Sequence, residues 1–314
     1  MDLTSKKVIK NLLKKYGARP SKRLGQNFLI DKTVTKKIIK EARLQSKDVV
    51  LEIGPGIGTL TQEIAKKARL VIAIEKDLKM CDILKELLEC WTPPTHHSVK
   101  NVELVKEDIL KFNPLIYKLN AKSYKVVANL PFYLTAPAIR KFLETKFPPE
   151  LMLLIVQKEV AQRICAKPPK MNVLAVSVQF YAKPEIISYV SKKSFWPKPK
   201  VDGAILRITQ THTDEKTDSH KFFRIVKAGF SQPRKQLANN LTKKLALSQS
   251  NGLELVNEVC LPRSLPSSPS FAAARLDKER IKSWLLKNNI QPTQRAETLT
   301  IKDWINLTKS YKIN

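Results

Sequence analysis

The chain has 314 residues, more than one domain usually holds, which predicts a full-sized domain and a smaller one. Its 57 Lys and Arg against 28 Asp and Glu give a formal net charge of +29, so we expect a polyanionic partner. The basic residues are spread along the whole chain, which favours nucleic acid over a membrane surface, and every apolar run is too short to span a bilayer.

Residues 1–19 form a basic segment, and apolar side chains at helical spacing predict a helix over 1–16. A mitochondrial transit peptide is the alternative interpretation of such a segment. Asp2, the scarcity of arginine and the motif that begins at Arg19 favour a mature cytoplasmic start instead.

The four cysteines lie far apart and show no paired spacing, which indicates reduced structural thiols at Cys81, Cys90, Cys165 and Cys260. A zinc site made of Cys81, Cys90, His96 and His97 is the alternative. Because that spacing matches no standard zinc pattern, we expect no bound metal.

Residues 20–208 alternate β-branched runs with helical stretches, a pattern typical of a parallel sheet flanked by helices. Seven strands are predicted, at 49–53, 70–74, 102–105, 125–128, 151–156, 185–190 and 202–208. Helices are predicted at 60–68, 78–89, 135–143, 157–166 and 172–182. Together these elements predict an α/β domain with a seven-stranded, mostly parallel sheet.

The polar stretch 209–219 has no periodicity and is interpreted as a linker. Residues 220–314 show only helical patterns, which lie at 220–230, 234–247, 276–288 and 300–310. Three prolines and four serines between 261 and 271 preclude a continuous helix there. The sequence therefore predicts a small all-α C-terminal domain, and its basic pairs at 234–235 and 243–244 make it a candidate to dock nucleic acid.

The first predicted strand leads into the loop 52–58, with the sequence EIGPGIG, and a helix follows. Glycines in such a turn allow positive φ and let the backbone approach a ligand closely. A dinucleotide-binding turn has its third glycine three residues after the second, where this chain has Thr59. A pyrophosphate ligand is therefore disfavoured.

Two acids come at the ends of successive predicted strands. Glu75 ends the second strand and is placed to accept from both hydroxyls of a ribose, and Asp108 follows the third, where it can accept from an adenine amino group. Surface acids are the alternative interpretation. Because open α/β sheets bind ligands at these strand ends, the pair after a glycine-rich turn favours a nucleoside site.

The tetrapeptide Asn129, Leu130, Pro131 and Phe132 follows the fourth predicted strand. Asn and Pro are common turn formers, so a plain turn is one interpretation. The glycine loop upstream favours a functional site, since the tetrapeptide would then lie at a strand end beside the bound ligand.

Six motifs in this order resemble the family of ribosomal RNA adenine dimethyltransferases. They are GQNFL at 25–29, the glycine loop, the tetrapeptide NLPF, QKEV at 157–160, FWPKPKVD at 195–202 and RAE at 295–297. The resemblance covers nearly the whole chain. It implies a Rossmann-like class I methyltransferase domain, S-adenosylmethionine as the cofactor and ribosomal RNA as the substrate.

The resemblance also implies which residues act. The cofactor would contact Asn27, Leu29, Gly54, Gly56, Glu75, Asp108 and Asn129, and the catalytic set would be Asn129, Leu130, Pro131, Phe132 and Phe195. An adenine amine is a poor nucleophile because its lone pair is delocalised into the ring. The Asn129 side-chain oxygen and the Leu130 carbonyl would accept hydrogen bonds from its two N–H groups and so localise that pair.

Two aromatic residues are candidates for stacking on the base. Phe132 would stack on the target adenine, and Phe195 would lie opposite it and sandwich the extruded base. A core role is the alternative for Phe195, because an isolated aromatic is more often packing than platform.

By resemblance, the substrate would be two adjacent adenines in the hairpin loop near the 3′ end of small-subunit ribosomal RNA, dimethylated in the cytoplasm during late assembly. The segment 230–241 resembles the family's tail motif, which differs from that of the related enzymes acting on the large subunit. A large-subunit dimethyltransferase that confers macrolide resistance and a non-catalytic RNA-binding assembly factor are the alternatives. We expect a monomer that binds the immature small subunit and neither membrane nor metal.

Three features depart from the family's pattern. Tyr133 stands where the family often has Asn, so the surroundings of the pocket differ. The segments 91–98 and 261–277 are longer than usual, and neither includes a residue assigned to chemistry.

Overall fold

A computed structural model describes residues 1–91, 101–211, 217–250 and 271–311. The chain divides into two compact units: Met1–Cys165 with Tyr181–His212, and Ala166–Phe180 with Thr213–Asn314. The division differs from the predicted boundaries in two respects. Residues 1–19 belong to the first unit rather than forming a separate segment, and Ala166–Phe180 belongs to the second.

The first unit contains the sheet. Its strands are β1 Phe28–Leu29, β2 Val49–Ile53, β3 Leu70–Glu75, β4 Val102–Lys106, β5 Tyr124–Asn129, β6 Leu151–Gln157, β7 Ala182–Val190, β8 Phe195–Trp196 and β9 Gly203–Gln210. Seven of them form the main sheet in the order β4-β3-β2-β5-β6-β9-β7, and β1 pairs with β8 in a separate two-stranded ribbon. The first five strands in this order run parallel, and β9 is antiparallel to both of its neighbours. The predicted seven-stranded, mostly parallel sheet is confirmed.

Helices flank this sheet in the first unit. They are α1 Lys6–Lys15, α2 Lys32–Glu41, α3 Thr61–Ala65, α4 Leu78–Cys90, α5 Thr135–Leu143 and α6 Lys158–Ile164. Helix α1 begins later than predicted because the Asp2 side chain accepts from the Thr4 amide and hydroxyl, which holds the first residues in a turn. Helix α2 was not among the predicted elements; Asp31 caps it by accepting from Thr33 and Val34.

The parallel strands bring five loops to one edge of the sheet. Strand β2 is apolar apart from one acid and is buried along its whole length, as a central parallel strand must be. Ile53 pairs with Ile74 on one side and with Ala128 on the other, and Asn129 pairs with Ile155. The carboxyl ends of β2, β3, β4, β5 and β6 therefore lie together, where open α/β sheets bind ligands.

The second unit is helical in the residues described. Its helices are α7 Val173–Tyr181, whose last residue is assigned to the first unit, α8 Ser219–Gly229, α9 Leu237–Ser250, α10 Phe271–Lys287 and α11 Ile301–Ser310. Phe180 stacks on Phe222 with ring centroids 4.0 Å apart, and the Met171 amide donates to the Glu297 carbonyl. These contacts explain why Ala166–Phe180 belongs to this unit and not to the sheet.

Two predicted boundaries shift. Strand β9 continues through Thr209 and Gln210, because they pair with Leu151 and Ala182, so the segment predicted as a linker begins later. Residues 212–216 of that segment, 261–270 of the predicted interruption and most of 91–98 lie outside the described residues. Within the described ranges, no helix combines the length and apolar content that crossing a bilayer requires.

Candidate active site

A cavity of about 260 Å³ opens at the carboxyl edge of the sheet in the first unit. All the site residues named from the sequence line it, namely Asn27, Leu29, Gly54, Gly56, Glu75, Asp108, Asn129, Leu130, Pro131, Phe132 and Phe195. The structure thus brings together residues that are up to 168 positions apart in the chain (195 − 27).

The glycine loop forms one wall of the cavity. Gly54 has a φ of +67°, and its amide donates to the Ile74 carbonyl at 2.9 Å. A Cβ at this position would meet no atom within 4 Å, so the backbone here borders open space. The loop can therefore approach a ligand with its main chain, as the sequence predicts.

Glu75 lies at the end of β3 and is almost fully buried. Its Oε2 accepts from the Gly56 amide at 3.1 Å, and its Oε1 accepts from the amides of Lys76 and Asp77 at 2.8 Å each. Burial raises the pKa of this carboxyl, and the three amide donors oppose the rise. Glu75 thus ties the glycine loop to the next strand end, and its Oε2, which among the described residues accepts from the Gly56 amide alone, keeps the capacity to accept from one further donor.

Asp108 follows β4 and carries a partner that the sequence did not indicate. The Lys76 Nζ lies 2.6 Å from its Oδ2, and its Oδ1 accepts from the Leu110 amide at 3.0 Å. The hydrogen bond from Lys76, followed by that from the Leu110 amide, lowers the pKa of the carboxyl. Asp108 is therefore ionised at neutral pH and can accept from an amino group.

Asn129 ends β5, and its side-chain amide has a fixed orientation. The Nδ2 donates to the main-chain carbonyl of Asn27 at 2.9 Å, so the Oδ1 is left as an acceptor. Leu130 donates its amide to the Ile155 carbonyl at 3.1 Å, and its own carbonyl accepts no hydrogen bond within the described ranges. Two acceptors of the kind needed for an amine's two protons thus lie next to each other in the chain.

The motif at 25–29 supports the tetrapeptide, a role that sequence reasoning did not assign to it. Gly25 has a φ of +63°, and a Cβ there would lie 3.0 Å from the Pro131 Cβ, so only glycine fits this approach. The Gln26 Nε2 donates to the Asp77 Oδ2 at 2.7 Å. The motif therefore connects the tetrapeptide with the start of α4, next to Glu75.

The two aromatic candidates differ in their surroundings. Phe132 is 40% exposed, as a platform open to an incoming base would be. Phe195 is 5% exposed and packs in the core with Leu29 and Ile155, while it also lines the cavity. The core alternative therefore describes part of its role. Trp196 points elsewhere and stacks on Phe28 with centroids 6.4 Å apart.

Glu52 is the first residue of the predicted loop 52–58, and no role of its own was predicted for it. It is 1% exposed in β2, and its Oε2 has no hydrogen-bond partner among the described residues. Burial raises its pKa to about 8; the polar groups of Thr61 oppose the rise and the charge of Glu75 adds to it. An acid inside the apolar run VVLEI is the sequence signal that could have identified it.

The raised pKa of Glu52 predicts a pH-dependent stability. Between the unfolded pKa near 4.5 and the folded pKa near 8, the unfolded state loses the proton first, so stability falls as pH rises through this window. We expect Glu52→Gln, which stays neutral, to exceed the wild type at pH 9 by about 3 to 5 kcal/mol and to match it near pH 4.5. Chemical denaturation without cofactor measures this, with exposed Glu103→Gln as the control. If the free energies of unfolding of wild type and Glu52→Gln change with pH in the same way, Glu52 is not buried in its neutral form.

The charge of the cavity indicates its ligand. Among the described residues that line it, four are acids, Glu52, Glu75, Glu107 and Asp108, of which burial keeps Glu52 neutral below about pH 8, and one is the lysine Lys76. This acidic cavity lies in a chain with a net charge of +29. It suits a cationic nucleoside better than a phosphate-bearing one. S-adenosylmethionine, with its sulfonium and ammonium groups, fits this donor and acceptor set, and the unpartnered Glu52 carboxyl adds a free acceptor.

Two solved structures share the fold. A dimethyladenosine transferase from Plasmodium falciparum superposes with a TM-score of 0.70 at 24% identity, over 89% of this chain and 95% of that one. The 23S rRNA methyltransferase ErmE superposes with a TM-score of 0.65 at 22% identity, over 90% and 99%. With its sheet order and the glycine loop at the carboxyl edge of the sheet, the first unit has the Rossmann-like α/β fold of these two structures.

Sequence comparison identifies the family. The profile described as ribosomal RNA adenine dimethylase matches residues 17–260. The protein named ribosomal RNA small subunit methyltransferase A in Dehalococcoides mccartyi (strain CBDB1) is 37% identical to this chain over 307 residues, covering 97% of this chain and 93% of the relative. The protein of the same name in Alkaliphilus metalliredigens (strain QYMF) is 38% identical over 315 residues, covering 98% and 97%. The chain belongs to the ribosomal RNA adenine dimethylase family and is a methyltransferase that uses S-adenosylmethionine.

Proposed function

We propose that this protein dimethylates N6 of two adjacent adenines in the 3′-terminal hairpin loop of small-subunit ribosomal RNA. The fixed orientation of the Asn129 amide carries the proposal, because it leaves an acceptor oxygen at the end of β5, in the cavity that Glu75 and Asp108 also line. The names of the relatives support the small subunit as the source of the RNA. In this proposal the partner is the immature small subunit, the protein acts as a monomer, and the reaction takes place in the cytoplasm.

The donor side of the cavity would hold the cofactor. Glu75 would accept from the ribose hydroxyls, Asp108 from the adenine amino group, and Gly54 and Gly56 would lie against the ligand with their main chain. Asn27 and Leu29 would close the wall next to Asn129. When bound, the cofactor supplies a methyl group activated by the sulfonium charge.

The acceptor side would activate the amine. The Asn129 Oδ1 and the Leu130 carbonyl would each accept a hydrogen bond from one N6–H, which localises the nitrogen lone pair and aims it at the methyl carbon. Formation of the new N–C bond would accompany cleavage of the C–S bond, whose bonding pair would stay on sulfur. The surplus proton leaves N6 for water. Phe132 and Phe195 would hold the base between them, and Pro131 has no amide hydrogen that could compete at this turn.

Particle specificity tests the proposed substrate. Small and large ribosomal particles from cells that lack this activity would be incubated with the protein and methyl-labelled cofactor. We expect label in small particles, more in immature than in mature ones, and transfer that weakens steeply with salt. Label confined to large particles would favour the macrolide-resistance alternative. Cofactor binding without transfer to either particle would favour a non-catalytic assembly factor.

A further inference from the structure

The mouth of the cavity carries more exposed apolar surface than the target adenine explains. Four large apolar side chains line the cavity and are also exposed: Leu110, Phe132, Tyr133 and Val201, here called the mouth rim. Exposed apolar residues that border one cavity indicate an interaction site rather than scattered surface residues. The proposed function uses Phe132 alone of this set.

Tyr133 stands out in the rim, because it is 57% exposed and aromatic. It lies in the short 3-10 turn Phe132–Leu134, which the Leu134 amide closes by donating to the Pro131 carbonyl at 3.0 Å. Helix α5 follows directly, and its Lys141 donates to the Leu110 carbonyl at 3.0 Å. The turns that carry Tyr133 and Leu110 are thus both held in place before any RNA arrives.

Two cations lie at this cavity: Lys76 lines it together with Tyr133, and Arg23 directly precedes the lining residue Leu24. Asp108 is the main cause of the raised pKa of Lys76, the Tyr133 hydroxyl adds to the rise, and Arg23 opposes it, so Lys76 lies within electrostatic reach of both residues. The Lys76 side chain is 59% exposed, and Arg23 is also exposed. An exposed aromatic ring beside exposed cations is the combination that binds unpaired nucleotides, through base stacking and phosphate contact.

We propose that the mouth rim is a second base-binding subsite, which holds the nucleotide next to the target adenine while that adenine occupies the cavity. This inference rests on the proposed function. Tyr133 stacks on the neighbouring base, Leu110 and Val201 border the stack, and Lys76 and Arg23 contact the phosphate. In an RNA with two adjacent adenines, the neighbouring nucleotide is the second substrate adenine. The subsite would therefore hold the second adenine while the first is modified in the cavity.

The test compares Tyr133→Ala, Tyr133→Phe and a control on immature small subunits. Ile116→Ala is the matched control, since Ile116 is 73% exposed and is not among the cavity-lining residues. We expect Tyr133→Ala to raise KM for the particle about 10-fold, the loss of one base stack, with kcat nearly unchanged. Tyr133→Phe and Ile116→Ala should behave as wild type, and all three should bind S-adenosylhomocysteine normally.

A second substrate separates stacking from a structural role. In particles whose neighbouring adenine is replaced by uridine, which stacks less well, the effect of Tyr133→Ala on KM should shrink. An equal loss on both particles, or weakened binding of S-adenosylhomocysteine, would assign Tyr133 to the fold or the cofactor instead. Wild-type transfer that Tyr133→Ala does not change would contradict the subsite alone, whereas no transfer by the wild type would contradict the proposed function.

Discussion

Asn129→Ala should reduce methyl transfer by at least about 100-fold and leave most of the cofactor affinity in place. Its Oδ1 is proposed to accept a hydrogen bond from the target amine, and removing one preorganised group of this kind typically costs about 100- to 1000-fold in kcat. Cofactor affinity should fall by about 10-fold at most, because one neutral hydrogen bond contributes about 0.5 to 1.5 kcal/mol. Single-turnover kinetics and calorimetry with S-adenosylhomocysteine measure the two effects separately.

Two further variants sharpen this prediction. Asn129→Asp keeps acceptor oxygens but loses the Nδ2 that donates to the Asn27 carbonyl, so it should remain impaired. Asn120→Ala changes an exposed asparagine that is not among the cavity-lining residues, and should have full activity. Full transfer by Asn129→Ala would remove the basis of the proposed mechanism.

Glu75→Ala should weaken cofactor binding by at least about 100-fold. The substitution removes the acceptor proposed for the ribose hydroxyls, and hydrogen bonds to charged groups contribute about 1.5 to 3 kcal/mol each. It also leaves the amides of Gly56, Lys76 and Asp77 without their acceptor, so the glycine loop loses its tie to β3. Calorimetric titration with S-adenosylhomocysteine gives the affinity directly.

The variant Glu75→Gln tests whether the loss of cofactor binding in Glu75→Ala is caused by unfolding. The amide keeps the size of the side chain and one acceptor oxygen, so we expect a folded protein with about 10-fold weaker binding, for the loss of one acceptor. Glu103→Ala, an exposed acid on β4, is the matched control and should bind as wild type. Wild-type affinity in both Glu75 variants, each confirmed as folded by denaturation, would place the nucleoside elsewhere.

The sheet could be predicted because its strands are short β-branched runs that the alternation with helices sets apart. Each of the seven predicted strands overlaps one observed strand. The ribbon of β1 and β8 was missed, since two-residue strands have no periodicity to detect. Helix α2 was also missed, and its cap at Asp31 is a local signal that could have revealed it.

The site could be predicted as a set of residues, and the reasons for its geometry could not. Strand ends converge in any parallel sheet, so Glu75, Asp108 and Asn129 were expected at one edge. The hydrogen bond from Asn129 to the Asn27 carbonyl joins residues 102 positions apart. The approach of Gly25 to Pro131 likewise depends on tertiary packing, which no local pattern reports.

The electrostatics of the cavity also could not be predicted from the sequence. The net charge of +29 indicates a polyanionic partner and gives no hint of an acidic cavity. The pairing of Lys76 with Asp108 and the burial of Glu52 became visible only once the strands were in register. Lys76 directly follows Glu75, and Glu52 is the first residue of the glycine loop. Their position next to predicted strand ends was the only indication of a role in the site that the sequence offered.

Mass spectrometry of nucleosides from small-subunit RNA tests the central claim most directly. Immature small subunits would be incubated with the protein and isotopically labelled cofactor, and the RNA would be digested and its modified fragments sequenced. We predict N6,N6-dimethyladenosine at two adjacent positions of the 3′-terminal hairpin loop, and none with Asn129→Ala. Label on another nucleoside, or on adenines outside that loop, would contradict the account.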